Sequence, residues 1–368
     1  MNQWLKAALP AAILLSTNLA HAEGDFKRWS VSAGWMHVMP QGKANPFNVN
    51  TSVAEGTNAK IGNITRESFL STLDPNQVRD NNKNQTVYDR AVWLLDNKTF
   101  TNLVYDSATG EIKASNTGSA QINGLESWQN AGTGLEADDV DTLGLTLSYY
   151  VNDNVSLQLI GGLPPKVDIQ GKGEIVANMT GIASPAGNVQ SLVNKQLNLI
   201  KDIPITNLGN KSKASSVRAW TPAIEAQYQF GKSGVNKFRP YVGVGLMYAH
   251  FSNIKLDSQI GADLVAAGHM IQNIHDGQAG AALDGKTSSA NPFVRVKTTD
   301  AIAPIISVGA TYDINQNWYG IASVSYAKLN NQANIDVIDA NNGNKLIHSS
   351  TKIDIDPIIT YLGVGYRF

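Results

Sequence analysis

The sequence predicts an all-β fold, an eight-stranded antiparallel up-and-down transmembrane β-barrel with long extracellular loops, and three observations carry that reading. Apolar and small or polar residues alternate with a period of two over several segments close to the ~10 residues of a membrane-spanning strand. The links between those segments alternate short and long without exception. Charged residues make up 16% of the chain, below the ~25% usual in soluble proteins. Yet no window after residue 22 holds the ~20 apolar residues of a spanning helix. Strands hide their apolarity by alternation, so low charge without a hydrophobic 20-mer fits a barrel.

The N-terminus reads as an export signal. Lys6 supplies the positive charge, Ala7 to Leu15 form an apolar core broken by Pro10, and Ala20-His21-Ala22 gives the small-x-small pattern of a cleavage site. Residues 1–22 are therefore assigned to a signal peptide and 23–368 to a single outer-membrane barrel. Net charge is −1, becoming −2 once Lys6 is removed, and no basic run is present, so nucleic acid is not an expected partner. The chain has no cysteine, which excludes disulfides, thiolate metal sites and a catalytic thiol.

The first strand is expected over Trp29 to Met39. In the second, Val140 to Val151, residues Leu143, Leu145, Leu147 and Tyr149 share one face while Gly144, Thr146 and Ser148 share the other. Asn152-Asp153-Asn154 supplies a turn, and the third strand follows over Val155 to Ile169. The fourth, Val217 to Phe230, points Trp220, Ile224, Ala226, Tyr228 and Phe230 to one side. The fifth, Arg239 to Ser252, alternates Val242, Val244, Leu246 and Tyr248 with Gly243, Gly245 and Met247. The last three are placed at Thr299–Tyr312, Trp318–Leu329 and Ile353–Phe368. Short links at 152–154, 231–238 and 313–317 read as periplasmic turns. The long ones, 40–139, 171–213, 253–297 and 330–351, read as external loops. Within them Val87, Tyr88, Ala91, Val92, Leu94 and Leu95 fall on one helical face, as do Val189, Leu192, Val193, Leu197 and Ile200.

Eight strands leave a narrow bore filled largely by side chains. Parity turns Gly144, Thr146, Gly243, Gly245, Gly363 and Gly365 inward, together with the polar candidates Gln158, Glu225, Arg239 and Arg367. Glu225 and the two arginines are expected to pair, because an isolated charge there is costly to desolvate. Trp29, Tyr149, Tyr150, Tyr228, Phe230, Tyr312, Trp318, Tyr366 and Phe368 near strand ends read as the two interfacial girdles. Pro164-Pro165 removes two successive ladder donors, so it marks a bend, a strand end or a lateral gate.

Catalytic chemistry is not expected. The six histidines form no close ligand pair, and no phosphate loop, nucleophile elbow or paired-carboxylate motif is present. His37 and His250 near outer strand ends are the one trace of a rim enzyme. No metal, cofactor or catalytic residue is assigned.

Four stretches, DTLGLTLSYYVNDNVSLQLIGGLPPKVDI (141–169), KFRPYVGVGLMYAHF (237–251), GATYDINQNW (309–318) and DIDPIITYLGVGYRF (354–368), with WSVSAGWMHVMP (29–40) as a weaker fifth, resemble the outer-membrane protein W (OmpW) family, which includes AlkL-type proteins. The resemblance implies a Gram-negative outer-membrane barrel with a narrow apolar channel, passive uptake of small hydrophobic molecules, and lateral release into the membrane. Partners would be outer-membrane lipid, those solutes and the barrel-assembly machinery, which reads a terminal aromatic such as Phe368. The first external loop, about 100 residues, is far longer than the resemblance suggests. The alternative is a surface interaction protein, an adhesin or a phage or ligand receptor, with the barrel as anchor. A lumen plugged throughout would favour that alternative, and an apolar lumen would favour the channel.

Overall fold

The computed structural model describes residues 27–368, so the export signal expected over 1–22 lies outside the described residues. Eight strands close a barrel: β1 (Trp29–Met39), β2 (Val140–Tyr150), β3 (Val155–Gly162), β4 (Ala223–Gln229), β5 (Phe238–Leu256), β6 (Ala301–Asp313), β7 (Trp318–Ala327) and β8 (Ile358–Arg367). Each pairs antiparallel with its neighbours in the chain, and β1 pairs with β8 to complete the cylinder. No helix among the described residues is long and apolar enough to cross a membrane.

Alternation places side chains as parity requires. Leu143, Leu145, Leu157, Leu159, Ile224, Val242, Val244 and Leu246 are exposed on the outer wall, while Thr146, Gln158, Glu225, Arg239 and Arg367 are buried in the lumen. Tyr150 departs from expectation: it is buried, since it follows the inward Thr146 and Ser148 in parity. The other aromatic residues near strand ends all stand at the short-turn end, so they form one girdle rather than two. Trp35, Trp220 and Tyr248, exposed toward the long-loop end, supply the second. Ten residues of β5 separate Phe238 from Tyr248, or about 25 Å along the axis at ordinary strand rise and tilt, matching the height of an apolar band.

The long connections are not loose. They build an external domain with a four-stranded sheet (Thr57–Lys60, Ser119–Asn123, Glu174–Ser184, Leu197–Asn207) and a five-stranded sheet (Phe47–Thr51, Ser127–Asn130, Pro292–Thr298, Asn330–Asp339, Lys345–Asp354). Helix α1 (Val87–Asp96) forms as its periodicity predicts, capped by Thr86, whose hydroxyl accepts from Asp89 N–H. Leu197 and Ile200 lie in a strand rather than a helix, because the helix begun at Gly187 stops at Leu192. Helix α2 (Ser258–His275) packs against strands of both external sheets and is capped by Asp257, which accepts from Gln259 and Ile260 N–H. Its Ile260, Leu264, Ala267, Ile271 and Ile274 are buried. They recur at helical spacing behind an Asp cap, so the signal was present in the sequence.

The five-stranded sheet carries a charge cluster. Asp336 meets Lys345 at 2.9 Å, His348 Nδ1 at 2.7 Å and Arg295 at 3.2 Å. Burial alone would raise the Asp336 carboxyl, but the donors from Lys345, His348 and Arg295 outweigh it and hold the pKa at about 2. A folded value below the unfolded ~3.9 stabilises the fold above pH 4, and the gain is lost as pH falls through 2. Exposure of Lys345 and Arg295 trims the contribution to about 1–2 kcal/mol. Asp336→Asn is therefore expected to weaken amide protection in strands 330–339 and 345–354 at pH 7, with the difference from wild type gone below pH 2. Equal protection at pH 7 would refute this role.

Candidate functional site: an apolar cavity that meets a break in the barrel wall

Two strands of the wall are interrupted at the same level. The β3–β4 ladder stops at Ile160 opposite Ala223 and starts again at Lys166 opposite Arg218. In one strand the intervening stretch holds Leu163, Pro164 and Pro165, and in the other it holds Thr221 and Pro222. Each proline lacks an N–H, and the two chains part between Ile160 and Lys166, while on the far side Pro222 C=O still accepts from Tyr248 N–H of β5. Both chains resume beyond the break, as strands Lys166–Lys172 and Ser215–Trp220, the latter paired with the outer half of β5. The single strand expected over Val155–Ile169 is thus two, and so is the one over Val217–Phe230. Pro222, inside that expected strand, is the sequence feature that marks the second break.

The stubs are held at the margins of the break. Leu163 N–H donates to Leu143 C=O at 3.0 Å and Thr142 Oγ1 to Leu163 C=O at 2.6 Å. Arg218 donates to Pro164 C=O at 3.2 Å and Ala219 N–H to Pro165 C=O at 3.1 Å. Leu163 and Trp220, at 60% and 50% exposure, project from the outer wall beside it.

A cavity of about 290 Å³ occupies the long-loop half of the lumen. Met36, Ile160, Met247, Ile305 and Ile359 form its walls, and Phe47, Leu208, Ile260 and Ile335 of the external domain roof it. Leu163, Pro164, Pro165, Trp220, Thr221 and Pro222 line the same space. Residues facing lipid and residues facing the lumen thus share one cavity, which reaches the wall at the break.

Below it the lumen is filled. Tyr361, Thr146 and Gln158 line the bottom of the cavity, with Ser32 Oγ bonded to Thr146 Oγ1 at 2.7 Å and to Tyr361 Oη at 2.8 Å. Tyr241, Tyr319 and Tyr361 form a buried aromatic cluster opposite glycines that give the rings room. A Cβ at Gly309 would come within 2.6 Å of the Tyr241 ring, and one at Gly365 within 2.1 Å of Tyr319.

The polar candidates divide between two layers. Gln158 and Glu225 meet at mid-wall: Gln227 donates to Gln158 Oε1 at 2.7 Å and to Glu225 Oε2 at 3.2 Å, and Ser307 Oγ donates to Glu225 Oε2 at 2.7 Å. Glu225 does not pair with either arginine, contrary to expectation. Two further inward positions of β4, Gln227 and Gln229, separate its level from theirs. Arg239 donates instead to the backbone carbonyls of Asp153 and Gly231 at the turns, with the Asp153 carboxylate at 3.8 Å. Arg367 binds the Asp313 carboxylate at 2.6 Å and lies 4.4 Å from the Tyr319 ring centroid. Phe368 is exposed beside Trp29, to whose carbonyl its N–H donates at 2.9 Å. His37 and His250 sit on the outer wall, bonded to Asp141 at 2.9 Å and Asp300 at 2.7 Å. Among the described residues no group of side chains is arranged to hold a metal ion.

A family model described as the OmpW family matches residues 105–277 and 265–368. Outer membrane protein W of Vibrio cholerae is 24% identical over 240 residues, covering 65% of this chain and 79% of the relative. The Escherichia coli K12 protein of that name is 23% identical over 237 residues, covering 64% and 76%. Among solved structures, the outer membrane protein OprG from Pseudomonas aeruginosa aligns with a TM-score of 0.46 at 13% identity, over 93% of this chain and 96% of that one. The outer membrane protein AlkL aligns with a TM-score of 0.38 at 14% identity, over 96% and 97%. With most of its length matched by the family model and a closed eight-stranded wall, this chain belongs to the OmpW family and is an outer-membrane β-barrel protein of a Gram-negative bacterium.

Proposed function

We propose that the protein admits small hydrophobic molecules passively and releases them sideways into the membrane through the break at Pro164, Pro165 and Pro222. The observation that carries this reading is the shared cavity, apolar above, closed below by the tyrosine and arginine layers, and continuous with the lipid-facing Leu163 and Trp220. A hydrophobic solute gains nothing by crossing into aqueous periplasm, whereas transfer into the bilayer keeps its apolar surface out of water. Within this reading Gln158, Glu225, Arg239 and Arg367 seal the lower lumen, residues 1–22 direct export, and Phe368 is the signal read by the barrel-assembly machinery. No cofactor and no chemical step is involved. The alternative of a surface receptor anchored by an inert barrel fits the large external domain but gives no purpose to an apolar cavity reaching the wall.

The test is uptake by cells lacking the protein, with and without its restored expression, of two probes matched in size, one hydrophobic and one hydrophilic. Restored expression is expected to speed hydrophobic uptake at least about fivefold and leave the hydrophilic probe unchanged. No difference for either, in cells shown to contain folded barrel, would refute the proposal and turn attention to the external domain as a binding surface.

A further inference from the structure

The barrel mouth is covered. Phe47, Leu208, Ile260 and Ile335 roof the lumen cavity, and all four belong to the external domain. A solute coming from outside must therefore pass through this domain or around it. Two more apolar cavities, about 40 Å³ each, lie within it. The lower one shares all four roof residues with the lumen cavity. The upper one, lined by Ile64, Phe69, Leu199 and Ile274, shares Met270 with the lower. The three spaces thus form a series in which each is separated from the next by side chains lining both.

Helix α2 runs beside all three. Its Ile260 borders the first and second, Leu264 and Ile271 the second, and Ile274 the third. Voids in a folded interior are few, and an empty apolar one stays dry and accepts small apolar guests. Three aligned along one helix, the largest reaching the membrane, are hard to ascribe to chance packing. The residue common to the upper two is methionine, whose unbranched and flexible side chain can change rotamer without moving the backbone.

We infer that helix α2 lines an apolar access route through the external domain, with Met270 as a side-chain valve, along which slim hydrophobic solutes reach the lumen. This rests on the channel reading above and specifies where the solute comes in and what shape it has. A branched or multi-ring molecule would have to displace the packed sheets, whereas a slim one passes when Met270 swings.

The absence of native cysteine allows a direct experiment on the folded protein. Met270→Cys is to be treated with an apolar thiol reagent, benzyl methanethiosulfonate, and with an anionic one, 2-sulfonatoethyl methanethiosulfonate. Ser233→Cys, on an exposed turn at the opposite end, serves as control. The thiol at position 270 is expected to react at least about tenfold faster with the apolar reagent, and the control thiol with no such preference. Modification at 270 is expected to lower hydrophobic uptake at least about fivefold, with recovery on reduction. A thiol at 270 that the apolar reagent does not reach, or uptake that survives its modification, overturns the route while leaving the channel reading standing. Absence of hydrophobic uptake by the wild-type protein overturns both. Because the block is installed after folding, a loss of uptake that reduction reverses cannot come from misfolding.

Discussion

Closing the wall between β3 and β4 is expected to reduce hydrophobic uptake by at least about tenfold while making the barrel more stable. Pro164, Pro165 and Pro222 lie in the interval where the ladder lapses, so Pro164→Val, Pro165→Thr and Pro222→Val together return strand-forming residues with N–H groups to that interval. Each new ladder bond adds about 0.5–1.5 kcal/mol, so resistance to unfolding in detergent should rise as transport falls. Opposite signs for the two effects distinguish a closed gate from a damaged protein. A reversible version continues the β3–β4 register across the break, where Gly161 falls opposite Pro222 and a Cβ at 161 would meet nothing within 4 Å. Cysteines placed at those two positions should cross-link on oxidation, stop uptake and release it on reduction. Unchanged uptake with the cross-link formed would show that solute leaves by another path, and lateral release at this site would be abandoned.

Why the barrel was legible while its external part was not follows from the physics of the two regions. A membrane wall has one lipid face, so each strand must alternate strictly, and Leu143 to Tyr149 or Val242 to Tyr248 can be read residue by residue. The external sheets have no such constraint. They bury apolar residues on faces defined only by one another, and their strands, such as Thr57–Lys60 and Ser127–Asn130, are too short for a period to register. Pro164 and Pro165 announced a break, but its partner at Pro222 lay inside a stretch whose alternation ran on regardless. The inward positions of Gln158, Glu225, Arg239 and Arg367 followed from parity alone. Their partners did not, because parity fixes a face and says nothing of height along the axis. Glu225 and the arginines share a lumen yet stand in different layers, and only the register shows it.

The lower seal should matter for stability and not for transport, and Arg367 is where that separation is sharpest. Its guanidinium binds Asp313 at 2.6 Å with both side chains largely buried, 6% and 14% exposed, which ties the last strand to the β6–β7 turn. Removing one partner of such a pair strands the other without compensation, at a cost of about 3–5 kcal/mol. Arg367→Met keeps much of the volume over the Tyr319 ring and removes the charge, so it is expected to destabilise the refolded barrel by about 3 kcal/mol in urea titrations. Asp313→Leu alone should also destabilise, since it leaves the buried arginine without its carboxylate partner. Combining the two removes both charges, and the double variant is expected to recover more than half of the sum of the single losses. Uptake of the hydrophobic probe by folded double variant should match wild type, because neither residue lines the cavity. Additive losses would mean that the pair is not coupled, and a loss of uptake in the folded double variant would mean that the path runs through the lower lumen to the periplasm.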